Sequence, residues 1–207
     1  MYCAIIGDIV GSKKIKNRQE IQDKFNDVLN NANKLYNESI ASNFTITLGD
    51  EFQGLLIKPS LSLEIIEFIR GKMHPIELVF GIGVGQMGTK FSKDISIGSD
   101  GPAYWYARKM VEKAKNKKPS ICFFSDSQED ELINTLILIS ETCINNQTKK
   151  QQEIIKLYKE LGSQYKVAEK LNISQGSVSA TLKKSLYKEI ESTKENIKEF
   201  LKSKWKE

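Results

Sequence analysis

Two aspartates are the residues of this chain whose types and settings could do phosphate chemistry. Asp8 stands near the end of an apolar, β-branched run (YCAIIGDIV, residues 2–10) that Gly11-Ser12 closes. Such a run stopped by glycine reads as a strand. Asp50 lies in Gly49-Asp50-Glu51, between the runs Phe44–Leu48 and Phe52–Ile57, which read as two strands joined by a tight turn. Carboxylates at the ends of neighbouring strands suit Mg²⁺, which takes oxygen ligands and bridges to phosphates. The same residues also fit a plainer role, in which Asp8 satisfies turn amides and Asp50 is an ordinary hairpin aspartate. Spacing leaves both readings open.

What would bring the two carboxylates together is the order of the elements around them. Ile21, Phe25, Val28, Leu29, Ala32, Leu35 and Tyr36 recur at helical spacing within residues 17–40, predicting a long amphipathic helix. Pro59 opens a second helix through Leu63, Ile66 and Ile69 to near Gly71. A strand follows over Ile76–Val84, then a glycine-rich loop. Gly101-Pro102 starts a helix running to about Lys115, and Ser120–Phe124 is a further strand. A closing helix with Leu132, Leu136 and Ile139 on one stripe spans residues 127–145. The order is β-α-β-β-α-β-α-β. Its first six elements are those of the ferredoxin-like split βαβ, an α+β sandwich whose first and third strands are central neighbours. That topology would put Asp8 and Asp50 at one edge of the sheet.

Several other candidates carry less. His74, the single histidine, precedes Pro75 in a polar turn and reads as a surface residue, so histidine-based nucleophilic catalysis is not expected. Gly83-x-Gly85-x-x-Gly88 matches a dinucleotide fingerprint in letters, but no helix follows it at once. Tyr104, Trp105 and Tyr106 are adjacent and must point different ways on a helix, so at least one belongs to the core and another is free to stack on a base. Cys3, Cys122 and Cys143 are odd in number and far apart, against a disulfide framework or a zinc site. The opening residues lack a signal peptide's basic start and long apolar core, and the run Leu132–Ile139 is too short to span a bilayer. The expectation is a cytoplasmic protein with no membrane partner.

Charge divides the chain unequally. Residues 149–207 hold fourteen lysines and eight glutamates, an excess of six positive charges. Residues 1–148 hold seventeen Lys/Arg against eighteen Asp/Glu, so they are near neutral. A basic C-terminal part attracts polyanions. After the polar stretch Asn145–Thr148, helical patterns run over Lys150–Leu161, from Ser163 or Gln164 to Leu171, and onward from a cap at Ser174. Ala168 supplies the small residue that two crossing helices need. Asn172 tolerates the positive φ that a tight turn demands, and Leu171, Ile173 and Val178 are apolar anchors about it. This is the spacing of a helix-turn-helix. Its exposed face offers Gln175, Ser177, Ser179, Thr181, Lys183 and Lys184 to base edges and phosphates of double-stranded DNA. A helical dimerisation hairpin is the plainer alternative. Residues 188–205 add a lysine/glutamate helix striped by Ile190, Ile197, Leu201 and Trp205, which either closes this domain or pairs two subunits. The division expected is 1–145 and 146–207.

The motifs also carry resemblances. GDIVGS at 7–12, TLGDEFQGLL at 47–56, FGIGVGQM at 80–87 and GSDGPAYWYARKMVEKA at 98–114 resemble, in order, the site-bearing segments of class III nucleotidyl cyclases. The hairpin is also similar to the Gly-Asp-Glu-Phe turn of diguanylate cyclases. That likeness implies a palm fold in which Asp8 and Asp50 hold Mg²⁺ or Mn²⁺ with a nucleotide. It further implies that the amides of Ile9, Val10 and Gly11, with Ser12, Gly49 and Arg108, face phosphate. Two positions depart from it. Ile46 stands where cyclases carry a base-reading lysine, and Tyr104 where they carry a transition-state asparagine. Losing the asparagine removes a donor aimed at developing charge, so nucleotide or metal binding is expected to outlast cyclisation, and no catalytic residue is assigned. Over nearly its full length the chain resembles the SatD family. The expectation is a DNA-binding transcriptional regulator with a degenerate cyclase-like domain, working as a homodimer. The alternatives are a Mg²⁺-dependent cyclase or nucleotidyltransferase using Asp8 and Asp50, and an inert dimerisation platform.

Overall fold

The computed structural model describes residues 1–116 and 119–207, which fall into two compact units. The first comprises Met1–Ile137 with Ile197–Glu207, the second Leu138–Asn196.

In the first unit β1 (Tyr2–Ile9), β2 (Ile40–Leu48), β3 (Glu51–Leu56), β4 (Leu78–Gly85) and β5 (Ile121–Phe124) form one sheet in the order β2-β3-β1-β4-β5. β1 runs antiparallel to both β3 and β4, while β5 pairs parallel with β4. The first four strands thus have the ferredoxin-like order, with α1 (Arg18–Leu35) and α2 (Ser62–Met73) as their crossovers. The alternation of β1 sorts the layers. Cys3, Ile5 and Ile9 join α1 and α2 in the larger core, whereas Ala4 and Ile6 join α3 (Pro102–Asn116) on the opposite face.

α3 explains the glycines of β4, Gly83 of the fingerprint-like run among them. A Cβ at Gly81 would collide with the Ala107 carbonyl, and one at Gly83 with the carbonyl of Ala103. These positions are bare so that the backbone of α3 can lie directly on the strand. Phe52, fully buried, anchors the β2–β3 hairpin by edge contacts with Phe25 at 5.5 Å, Phe44 at 5.7 Å and Phe80 at 6.2 Å. Each contact contributes about 0.5–1.5 kcal/mol beyond burial. Both edge strands meet an asparagine. Asn33 Oδ1 accepts the Phe44 N–H at 2.8 Å and its Nδ2 donates to the Phe44 carbonyl at 3.0 Å. Asn134 of α4 (Asp130–Asn145) treats Phe123 the same way, at 2.8 Å for each bond.

The expected first helix over 17–40 ends at Leu35, and β2 begins at Ile40 instead of Phe44, because Ile40 pairs with Leu56 and is buried. The expected division at 145/146 also differs. The units part inside α4 and again inside α8 (Tyr187–Trp205), since Ile197 and Leu201 are buried in the core of the first unit. A stripe of apolar residues on a helix states that something covers it, not what.

In the second unit α5 (Lys149–Leu161), α6 (Gln164–Leu171) and α7 (Gln175–Lys184) close on Ile154, Val167, Ala168, Val178 and Leu182. Thr148 and Gln151 form a reciprocal capping box at the start of α5, and Gly162, at φ 65°, ends it. Asn172 takes φ 52° after α6, and the Ser174 side chain accepts the Ser177 N–H to cap α7. No helix among the described residues is long and apolar enough to cross a membrane.

Candidate functional site

The hairpin turn and the end of β1 meet at one edge of the sheet. Ile9 N–H donates to the Asp50 carbonyl at 3.0 Å, and Asp8 lies opposite Glu51 in the ladder. The turn is sharp enough that Gly49 takes φ 53°, a backbone region that glycine enters without steric cost. The two aspartates reach this edge with different partners. Asp8 Oδ2 is 2.9 Å from Lys115 Nζ, which comes from the last turn of α3 and also touches Glu112 Oε1 at 3.1 Å. Asp50 Oδ2 instead accepts the Ser12 hydroxyl at 2.5 Å.

Glu51, 3% exposed, has a third arrangement. Both of its carboxylate oxygens are gripped by the Arg108 guanidinium, and the Thr47 hydroxyl donates to Oε1 at 3.0 Å. A planar fork on a carboxylate is the strongest ordinary ion-pair geometry. Burial raises the Glu51 carboxyl, but Arg108 and Thr47 outweigh it and hold the group below the usual carboxylate range. Asp8 goes the other way. Burial lifts its carboxyl, Lys115 pulls it back, and the nearby charges of Asp50 and Glu51 push it up again.

These contacts revise two expectations. The amides of Ile9 and Val10 are not open to phosphate, because Ile9 donates to Asp50 and Val10 to the Glu77 carbonyl at 2.9 Å. The ladder continues one residue further than the motif implies. Arg108 is likewise engaged with Glu51, so a triphosphate would have to compete for it. Ile9, Ser12, Gly49 and Asp50 instead line, with Arg18 of α1, a cleft of about 110 Å³. That volume suits a phosphate-sized group and falls short of the several hundred Å³ usual for whole small-molecule ligands. Gly11 takes φ 67° just before it.

Asp8 Oδ1 and Asp50 Oδ1 make no hydrogen bond among the described residues. Two carboxylates with a free oxygen each are the donor chemistry of a Mg²⁺ or Mn²⁺ ion that leaves its other positions to phosphate and water. No group of three or more His, Cys, Asp and Glu side chains suited to a metal occurs among the described residues. The two aspartates supply carboxylate oxygens of the kind such an ion takes, with the Lys115 ammonium already beside Asp8. Tyr104 is buried against the sheet, Tyr106 packs edge-on to Phe124 at 4.9 Å, and Trp105, 58% exposed, donates to Asp100 at 2.6 Å. His74 is exposed.

Lys115, Glu51, Glu112 and Arg18 were not singled out from sequence. For two of the four a signal exists: Glu112 and Lys115 stand at i+4 and i+7 from Arg108, on one face of a helix.

In the second unit, Ser177, Ser179, Lys183 and Lys184 are exposed on α7, while Gln175 and Thr181 are half-buried. Gln175 Nε2 donates to Gln164 Oε1 at 2.6 Å, and the Ser177 and Ser174 hydroxyls are 2.8 Å apart. Among the described residues, Ser179, Lys183 and Lys184 make no such bond. A groove of about 560 Å³ takes in Thr181 and Lys184 with Lys150, Thr148 and Cys143.

Among solved structures, the chain is similar to one described as "Structure of a bacterial light-regulated adenylyl cyclase". The two are 14% identical, the match covers 59% of this chain and 74% of that one, and the TM-score is 0.45. It is also similar to "Crystal Structure of Regulator of Polyketide Synthase Expression from Bifidobacterium adolescentis". There the identity is 12%, the coverage 96% of this chain and 85% of that one, and the TM-score 0.27. No curated protein matches. A model described as the SatD family matches residues 2–205, and the chain belongs to the SatD family.

Proposed function

We propose that this protein is a DNA-binding transcriptional regulator whose first unit takes a nucleotide with Mg²⁺ or Mn²⁺ and whose α6–α7 pair reads double-stranded DNA as a helix-turn-helix. The observation that carries the reading is the turn at Asn172. Its left-handed backbone, with Ala168 only 6% exposed where the helices cross, presents α7 with Ser179, Lys183 and Lys184 unpartnered among the described residues. The excess of six positive charges over residues 149–207 supports the same reading, since lysines neutralise phosphate whatever the sequence. The N-terminal residues of such a helix enter the major groove, and two copies spaced one helical turn apart would read a symmetric operator as a homodimer.

The engagement of Arg108 by Glu51 favours regulator over cyclase, because the arginine that would grip a triphosphate already has a carboxylate. Long incubation of the full chain with ATP or GTP and Mn²⁺ is expected to give no cyclic product by chromatography. Selection of bound genomic fragments by the full-length protein tests the regulator. A shared motif, lost when Lys183 and Lys184 are both replaced, is the expected result. No motif and no shift of duplex DNA at low salt would refute it. For the first unit, a divalent ion plus a nucleoside triphosphate should raise Tm by mass action. Asp8→Asn and Asp50→Asn should each remove that rise.

A further inference from the structure

The carboxylates at the edge of the sheet do not face solvent unopposed. α3 lays two cations over them, Arg108 on Glu51 and Lys115 on Asp8, the latter at 2.9 Å with the Asp8 side chain only 16% exposed. Lys115 has a second anchor, Glu112 at 3.1 Å on its own helix and 53% exposed, so its ammonium is shared between a half-buried carboxylate and an outer one. An ion pair that is part-buried is screened less than a surface pair. A divalent ion arriving at Asp8 therefore meets a cation already in place.

We propose that Lys115 is a resident counter-cation that sets the divalent affinity of the edge: it holds Asp8 while no ion is bound, and transfers wholly to Glu112 when a divalent ion takes the carboxylate. This rests on the reading of Asp8 and Asp50 as a divalent site. No proton changes hands. One positive charge leaves Asp8 as another arrives, and Glu112 keeps the displaced ammonium from standing beside the ion. Apparent affinity falls by the fraction of molecules in which Asp8 is free. The exchange gives the protein a threshold, because only divalent ion above a set concentration displaces the lysine. The Arg108–Glu51 pair is not part of it, being bidentate and closed on both oxygens.

Mn²⁺ alone, titrated into the full-length chain and followed by the loss of free-ion electron paramagnetic resonance signal, tests this directly. Lys115→Met should tighten Mn²⁺ binding by about three- to tenfold over wild type, the range expected for removing a part-exposed ion-pair competitor. Lys115→Arg should retain weak binding, and Glu112→Gln should weaken it further by removing the alternative anchor. The gain of Lys115→Met should vanish in the double variant with Asp8→Asn, which locates the ion. Lys115 is part-exposed and its loss is not expected to unfold the chain; Lys115→Gln, checked by its melting curve, is the second variant. Equal, tight binding by wild type and both lysine variants would overturn the role of Lys115 and leave the divalent reading standing. No binding by any of them would overturn both.

Discussion

The two candidate surfaces treat their own charges in opposite ways. At the edge of the sheet each of the three carboxylates has a partner within the unit: Asp8 with Lys115, Glu51 with Arg108, Asp50 with Ser12. On α7, Lys183, Lys184 and Ser179 have none among the described residues. A ligand at the first surface must displace bonds already made, and gains only the difference. One at the second replaces water alone. The first is therefore built for discrimination between occupants, the second for attraction of any polyanion.

The comparison breaks most completely if α3 is lifted from β4. Gly83→Val would drive a side chain into the α3 backbone and should cost about 3 kcal/mol or more. Denaturant unfolding would show it, and Asp8 and Glu51 would lose their cations together. Next in size is Arg108→Ala, which leaves Glu51 buried without its fork. The guanidinium is 44% exposed, which discounts the loss to about 2 kcal/mol. Its pH signature is specific. Glu51 sits below its ordinary range when folded, so its contribution is present above the unfolded pKa and disappears as pH falls through the folded value. Arg108→Ala should therefore flatten the acid limb of a Tm-against-pH curve while lowering Tm near neutrality. An unchanged acid limb would show that the pair does not carry it.

The second surface sharpens the contrast with smaller effects. Gln175→Ala should cost about 1–2 kcal/mol at one base-pair position of a selected site, and should do so by freeing Gln164 as well as by losing a base contact. A competition assay over single-base variants would find that position. Smallest is Lys183→Ala, expected to weaken binding to every sequence alike and to reduce the salt slope by about one unit. Sequence-dependent loss from the lysine change would reverse the roles given to the two residues.

Much of this frame is legible from residue pattern alone. The apolar run of β1, the Gly-Asp turn, the cap at Ser174 and the positive φ of Asn172 are local devices, written within a few residues of where they act. What escapes a linear reading acts across distance. Lys115 and Asp8 are far apart in the chain, and nothing near either names the other. The glycines of β4 carry letters of a dinucleotide fingerprint that the missing helix already sets aside, but only α3, lying on them, shows why they are bare. Ile9 and Val10 keep the letters of a phosphate-facing turn, yet their amides are spent on Asp50 and Glu77. Residues 197–207 show an amphipathic stripe, but its partners are in the first unit.

The asparagines at Phe44 and Phe123 have a consequence for how this protein can meet others. Exposed sheet edges template further strands, from a peptide, a second copy or an aggregating neighbour. Here a side-chain amide stands at each edge in the position of an incoming backbone and satisfies both its donor and its acceptor. Lys93, whose carbonyl accepts the Asn43 N–H at 2.8 Å, extends that guard along β2. An incoming strand would have to displace these side chains at Phe44 and Phe123, so recruitment to either edge is opposed there and surfaces of side chains, where charge and shape select the partner, are favoured.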